Sequence, residues 1–305
     1  MKALASFVMK GWPQATGVAV LCALLSPVLA PLSLVSGAVV ALVTLRNGLV
    51  AGLQVAGAAG LVTVLAGQLV FGHLVAALAF ALLLWGPMLV LALVLRHTRS
   101  LAATLQAGLV FGAVLVAFYV IGFDDAVAEW KTLLGNVLGG FFEAQGIDEA
   151  DRGALIEAMA RWMTGTLAAA YFLQLVASLL LARWWQSLLY NPGGFRQEFH
   201  ALRLSRGLAL VALPLFAAVV VDGLPDVLRY LALPVAAAFF LQGLALAHGQ
   251  LAAFNAGPGW LIGIYALLVV APPYAFMALT TAGYADAWMD FRARMAKRTG
   301  GQDRS

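Results

Sequence analysis

Side chains able to do chemistry are few in this chain and far apart. The four histidines are His73, His97, His200 and His248, and no two of them have the spacing of a His-Glu-x-x-His metal helix. No glycine-rich loop closes on Lys-Ser or Lys-Thr, and no pair of aspartates lies inside an apolar stretch. Cys22 is the single cysteine, so neither an internal disulfide framework nor a thiolate metal site is expected. The reading is therefore of a protein that is not an enzyme and that carries no cofactor or metal. What remains is a set of neutral polar groups within apolar sequence: Gln54, Gln68, Gln106, Gln174 and Gln242, with His248 close to Gln250 near the end of an apolar segment. Such groups hydrogen-bond between helices without charge. Alternatively, Gln54, Gln242 and His248 line a pocket for a small neutral or weakly polar ligand.

The elements that must position these residues are written in the charge map. No Asp, Glu, Lys or Arg occurs in residues 11–45, 47–95, 100–123, 162–182, 207–221 or 230–285. Hydrophobic residues make up 63% of the chain and charged residues 10%, where a soluble domain carries about a quarter charged. A hydrocarbon core excludes charge, and about twenty apolar residues cross it as a helix. The expected fold is an all-α polytopic transmembrane bundle forming one domain over residues 1–305. Its spans are 12–30, a short segment from Pro31 to Leu45, then 49–70, 74–95, 101–121, 162–182, 207–221 and 230–254. The last segment, 260–282, is interrupted by Pro272 and Pro273 and is expected to be broken or re-entrant. The basic, apolar start of the chain is read as the first span and not as a cleaved signal.

Lys and Arg beside spans resist translocation, while acids contribute little to orientation. Lys2, Lys10, Arg46, Arg96, Arg99, Arg183, Arg196, Arg203 and Arg206 fall on one side, which is expected to be cytoplasmic together with the N-terminus. Residues 122–161 carry eight acids against three bases and form an acidic outer loop, in which two stretches with helical spacing suit helices on the membrane surface. A basic tail at 286–305, with Arg292, Arg294, Lys297 and Arg298, is placed in the cytoplasm. The net charge of +4 records orientation and lipid headgroup contact, not nucleic-acid binding.

The inner loop, 183–206, is basic and aromatic. Trp184, Trp185 and Tyr190 are placed as an aromatic belt at the headgroup level, and Asn191-Pro192-Gly193-Gly194 signals a turn. Phe195, Phe199 and Leu202 then share a face beside Arg196 and Arg203, as in a basic amphipathic helix on the membrane surface. It either anchors on membrane lipid or docks a cytoplasmic or membrane partner. Ala15, Ala19 and Ala23, and likewise Gly52, Ala56 and Gly60, recur every fourth residue. Such faces let helices approach closely, within the bundle or against a partner subunit.

The stretch from Arg183 to Arg203, with Leu241-Gln242-Gly243-Leu244-Ala245-Leu246-Ala247-His248 and Gly283-Tyr284-Ala285-Asp286-Ala287-Trp288-Met289-Asp290-Phe291-Arg292, resembles the YybS-like family of bacterial inner-membrane proteins. That family has no established activity. A more distant resemblance, carried by Leu45-Arg46-Asn47-Gly48-Leu49 after a short second segment, is to the substrate-binding subunits of energy-coupling-factor vitamin transporters and to the rod-shape scaffold MreD. It implies an S-component-like helical core in the bacterial inner membrane, and makes the Ala15, Ala19, Ala23 face similar to the alanine face with which such subunits dock their membrane partner. Two functions follow: a small-molecule-binding transporter subunit working with partner proteins, or a non-enzymatic scaffold of the cell envelope.

Overall fold

The computed structural model describes residues 1–257 and 259–289, all of whose regular elements are helices: α1 (Lys2–Val8), α2 (Trp12–Leu25), α3 (Pro31–Asn47), α4 (Leu49–Phe71), α5 (Leu74–Thr98), α6 (Leu101–Gly122), α7 (Ala126–Ala144), α8 (Glu149–Tyr190), α9 (Gly194–His200), α10 (Arg206–Val220), α11 (Asp226–Ala253), α12 (Gly259–Val270) and α13 (Pro272–Met289). Five of them, α4, α5, α6, α8 and α11, are long and apolar enough to cross a membrane. The described residues are all-helical, and these apolar helices are those of a membrane protein. Helices α2, α3, α10 and α12 are shorter and apolar.

Helix α3 is the axle of the first half. Every residue from Ser36 to Leu45 is buried, because α2, α4, α5 and α8 surround it. A helix apolar on all sides needs surroundings free of water, and here other helices supply them. Its few polar groups are satisfied inside: Ser36 Oγ donates to the Ala19 carbonyl at 2.8 Å and accepts from Trp85 Nε1 at 3.1 Å. Ala15, Ala19 and Ala23 are buried where α2 packs on α3 and α4, so this face joins helices within the chain. Gly52 serves the same end, since a methyl there would strike the Thr44 hydroxyl of α3.

The acidic region departs from the sequence expectation. Its second amphipathic stretch does not lie on a surface but continues into the apolar stretch as α8, whose 42 residues make about 63 Å at 1.5 Å per residue. Helix α7 folds back on it as an antiparallel hairpin, with Trp130 and Leu134 packed on Ala160 and Trp130 Nε1 donating to Thr164 Oγ1 at 2.9 Å. Part of the apolar stripe expected to face lipid, Val127, Trp130, Leu134 and Leu138, instead closes this hairpin, while Val137 and Phe141 stay exposed.

The second half is built on α11, which packs against α6, α8, α10 and α13. The final apolar segment is divided at Ala271 into α12 and α13, as Pro272 and Pro273 led one to expect. Helix α13 runs parallel to α11: Thr280 Oγ1 donates to the Ala236 carbonyl, Phe239 packs on Tyr284, and Gln242 bonds Asp286. The two backbones touch at Gly243 and Gly283, where a methyl would collide with the carbonyls of Leu279 and Phe239 respectively. Of the basic tail, Asp286–Met289 belong to α13; Arg292, Arg294, Lys297 and Arg298 lie outside the described residues.

Candidate functional site at the basic end of the bundle

One end of the bundle gathers the C-termini of α3, α5, α8 and α13 with the N-termini of α4, α6 and α10. Contacts fix this convergence. Arg96 Nη1 donates to the Thr44 and Leu45 carbonyls, Ser205 Oγ to Gln106 Oε1, and Arg203 to the Ala287 carbonyl. Most sequence-selected residues meet at this end: Trp184, Trp185, Tyr190, Phe195, Arg196, Phe199, Arg203, Gln242 and His248. Gln54 does not join them, because it lies on the exposed side of α4.

Gln242 is fully buried, and both ends of its amide are engaged. Oε1 accepts from the Leu204 backbone N–H at 2.8 Å, and Nε2 donates to Asp286 Oδ2 at 3.0 Å. These bonds tie the chain just before α10 to α11 and α13, so Gln242 acts here as a tie between elements and not as a pocket wall. Asp286, fully buried, is the residue sequence reading missed. Its signal was its place as the first charged residue after Arg229, at the edge of the longest charge-free window. A carboxylate at such depth needs partners, and α11 supplies one.

His248 lies six residues further along α11. Its Nδ1 is 2.9 Å from the Leu244 carbonyl one turn back, and its Nε2 is 3.3 Å from the Tyr265 hydroxyl of α12. The rings of Phe199 and His200 stand 5.7 Å and 6.4 Å away. The group joins α9, α11 and α12 into one surface.

Helix α9 is held to the end of α8 by a partly buried ion pair, Arg183 to Glu198, whose Nε contact is 2.8 Å. The predicted turn forms at Asn191-Pro192-Gly193-Gly194, with Gly193 at φ +89°, a conformation glycine adopts freely. Ser187 Oγ donates to the Asn191 carbonyl and accepts from the Phe195 N–H, locking the turn onto α8. Phe195 and Phe199 stack at 6.0 Å, while Arg196 and Gln197 stay exposed. Trp185 is not an aromatic-belt residue: it is fully buried in the core, because α8 turns it inward. Trp184 is half-buried, and Tyr190 carries the Arg46 guanidinium 4.2 Å from its ring centre.

Other cavities lie away from this end. A cleft of about 740 Å³ at the acidic end is walled by Lys131, Glu157, Arg161, Asp222, Asp226 and Arg229. An apolar cavity of about 370 Å³ opens between α2, α4 and α5 beside Thr63 and His73. Comparison of the chain with protein-family models, curated proteins and solved structures finds no match.

Proposed function

We propose that this chain is a non-enzymatic, multi-pass protein of the bacterial inner membrane that acts as a scaffold, presenting its basic end to protein partners, the role to which its resemblance to MreD points. The carrying observation is the build of α9. A short helix is clamped by Arg183–Glu198 and Ser187, keeps its phenylalanine side half-buried and turns Arg196 and Gln197 outward, with Arg206 also exposed. A preset basic surface suits recognition of an acidic partner, since little ordering is needed on binding. In this reading the basic end and both termini are cytoplasmic, and the shorter apolar helices add to the five long ones to give eight spans and a broken ninth segment around an S-component-like core.

The test is photocrosslinking from position 197 in native membranes, with crosslinked proteins identified by mass spectrometry. A cytoplasmic partner is expected in the wild type and is lost when Arg196→Ala and Arg206→Ala are combined. The same crosslinks in the double variant, or none in the wild type, would sink the reading.

A second reading, a ligand-binding transporter subunit, rests on the acidic-end cleft. Its walls carry both charge signs within about 740 Å³, which suits a small ligand with no net charge. Native mass spectrometry of purified protein should then detect a bound small molecule that Arg161→Ala releases, and an ATPase module should copurify.

A further inference from the structure

We infer that the basic end holds a binding site for a phosphate-bearing anion, such as the headgroup of an anionic phospholipid, in the cavity walled by Arg96, Arg99 and Arg183. The cavity measures about 220 Å³ and lies among the ends of α3, α5 and α8 beside α9. At about 30 Å³ per water it has room for roughly seven waters, enough for a phosphate and its first ester carbons. Its floor is apolar, formed by the buried Leu45 and Leu95.

Three guanidinium groups face this space with a single carboxylate, Glu198. That carboxylate is engaged by Arg183 through Nε and Nη2, and Arg183 Nη1 donates to Gln186 Oε1 at 2.6 Å. Arg96 is held by Nη1 alone, at 3.0 Å from the Leu45 carbonyl, which fixes its guanidinium while the other N–H groups carry no bond among the described residues. Arg99 has no ion-pair partner among the described residues. The cavity therefore has an excess of positive charge: Arg96 and Arg183 are held in place, and the exposed Arg99 adds a guanidinium that can close on phosphate oxygens two at a time. It also sits where apolar helices end, the depth of lipid headgroups, and basic pockets between helices at that depth take anionic headgroups.

The backbone gives a second, independent sign. Arg99 ends α5 in the left-handed conformation, at φ 53°, a position that glycine commonly fills. A side chain is sterically disfavoured there, yet this chain carries an arginine. Such strain accompanies residues with a task beyond the fold.

The test uses the full-length protein, purified and delipidated in detergent, with thermal unfolding followed as phosphatidylglycerol or phosphatidylcholine is added. A parallel arm compares sodium phosphate with sodium chloride at equal ionic strength. Phosphatidylglycerol is expected to raise Tm saturably and phosphatidylcholine is not. Arg99→Gly should leave the lipid-free Tm equal or higher, because glycine fits the left-handed position, and should raise the apparent Kd for phosphatidylglycerol at least tenfold. Lys10→Gln, which removes a positive charge elsewhere, should change Kd less than twofold. A response to phosphate that competes with the lipid assigns the site to a soluble phosphate, and a lipid response alone assigns it to the headgroup. Equal stabilisation by both lipids, unchanged affinity in Arg99→Gly, or an equal loss in Lys10→Gln would overturn the site.

Discussion

The contact between α11 and α13 permits a quantitative test. A methyl on Gly243 would enter the space of the Leu279 carbonyl, and because the obstacle is backbone it cannot swing aside. Gly243→Ala must push the two helices apart, and a gap of 0.5–1 Å forfeits roughly a quarter to a half of each van der Waals contact along the seam. The ring pairs Phe239–Tyr284 and Phe240–Phe276, now at 5.3 Å and 5.0 Å, would loosen; such pairs contribute about 1 kcal/mol each. The 3.0 Å bond from Gln242 to Asp286 would stretch, and leaving such buried groups unpaired costs about 1–3 kcal/mol. Alanine returns up to about 1 kcal/mol in helix propensity. The net expectation is a loss of about 3 kcal/mol, read by denaturant titration in detergent with circular dichroism. Gly57→Ala is the control, because a methyl on that face of α4 meets open space; it should be neutral or stabilising. If Gly243→Ala is no less stable than Gly57→Ala, the two helices do not cross at this glycine and the parallel packing is wrong.

Three further outcomes are expected. Gln242→Ala removes the acceptor of the Leu204 N–H and the donor to Asp286, so it should destabilise by about 2–5 kcal/mol in the same titration; wild-type stability would return Gln242 to the role of a pocket residue. Trp130→Phe deletes the bond to Thr164 at a cost of about 1 kcal/mol, and hydrogen exchange across 126–144 should accelerate; unchanged protection would show that α7 does not rely on this tie. Ala19→Leu overpacks the α2–α3 contact, where Ala19 is fully buried, and should destabilise the isolated protein by about 1–3 kcal/mol. A stable Ala19→Leu protein that loses a partner would instead mean that the alanine face is an external dock.

The class of the fold was legible because charge exclusion is a property of whole segments, and averaging over twenty residues leaves little room for error. The turn at Asn191–Gly194 was legible for the opposite reason: its chemistry is entirely local. What escaped were features set by partners distant in sequence. The helical spacing of Val127, Trp130 and Leu134 marks an apolar face but not what covers it, and Ala160 of α8 covers it where lipid was expected. Trp185 and Trp184 are neighbours in an aromatic word, yet a rotation of about 100° per residue sends Trp185 into the core and leaves Trp184 half-buried. Gln54 and Gln242 look alike in apolar sequence. One faces outward on α4, while the other is fixed between Leu204 and Asp286.

The C-terminal segment joins these lines. Read as one crossing, it sends the basic tail to the opposite side from every other arginine cluster and breaks the charge rule. Two prolines, neither able to donate a backbone N–H, divide it at Ala271, and the chain between α11 and α13 returns far enough for α13 to run parallel to α11. Parallel neighbours need close approach to bury short helices well, and Gly243 and Gly283 provide it. That packing brings Asp286 to Gln242 and the Ala287 carbonyl to Arg203, so α13 ends at the basic end of the bundle. The stretch Leu241–His248 and the described part of the last word, Gly283–Met289, selected separately from the sequence, thus contribute the facing residues of one interface. The same contact that buries the acid also brings the end of α13 to the end of the bundle that carries Arg96, Arg183 and Arg203.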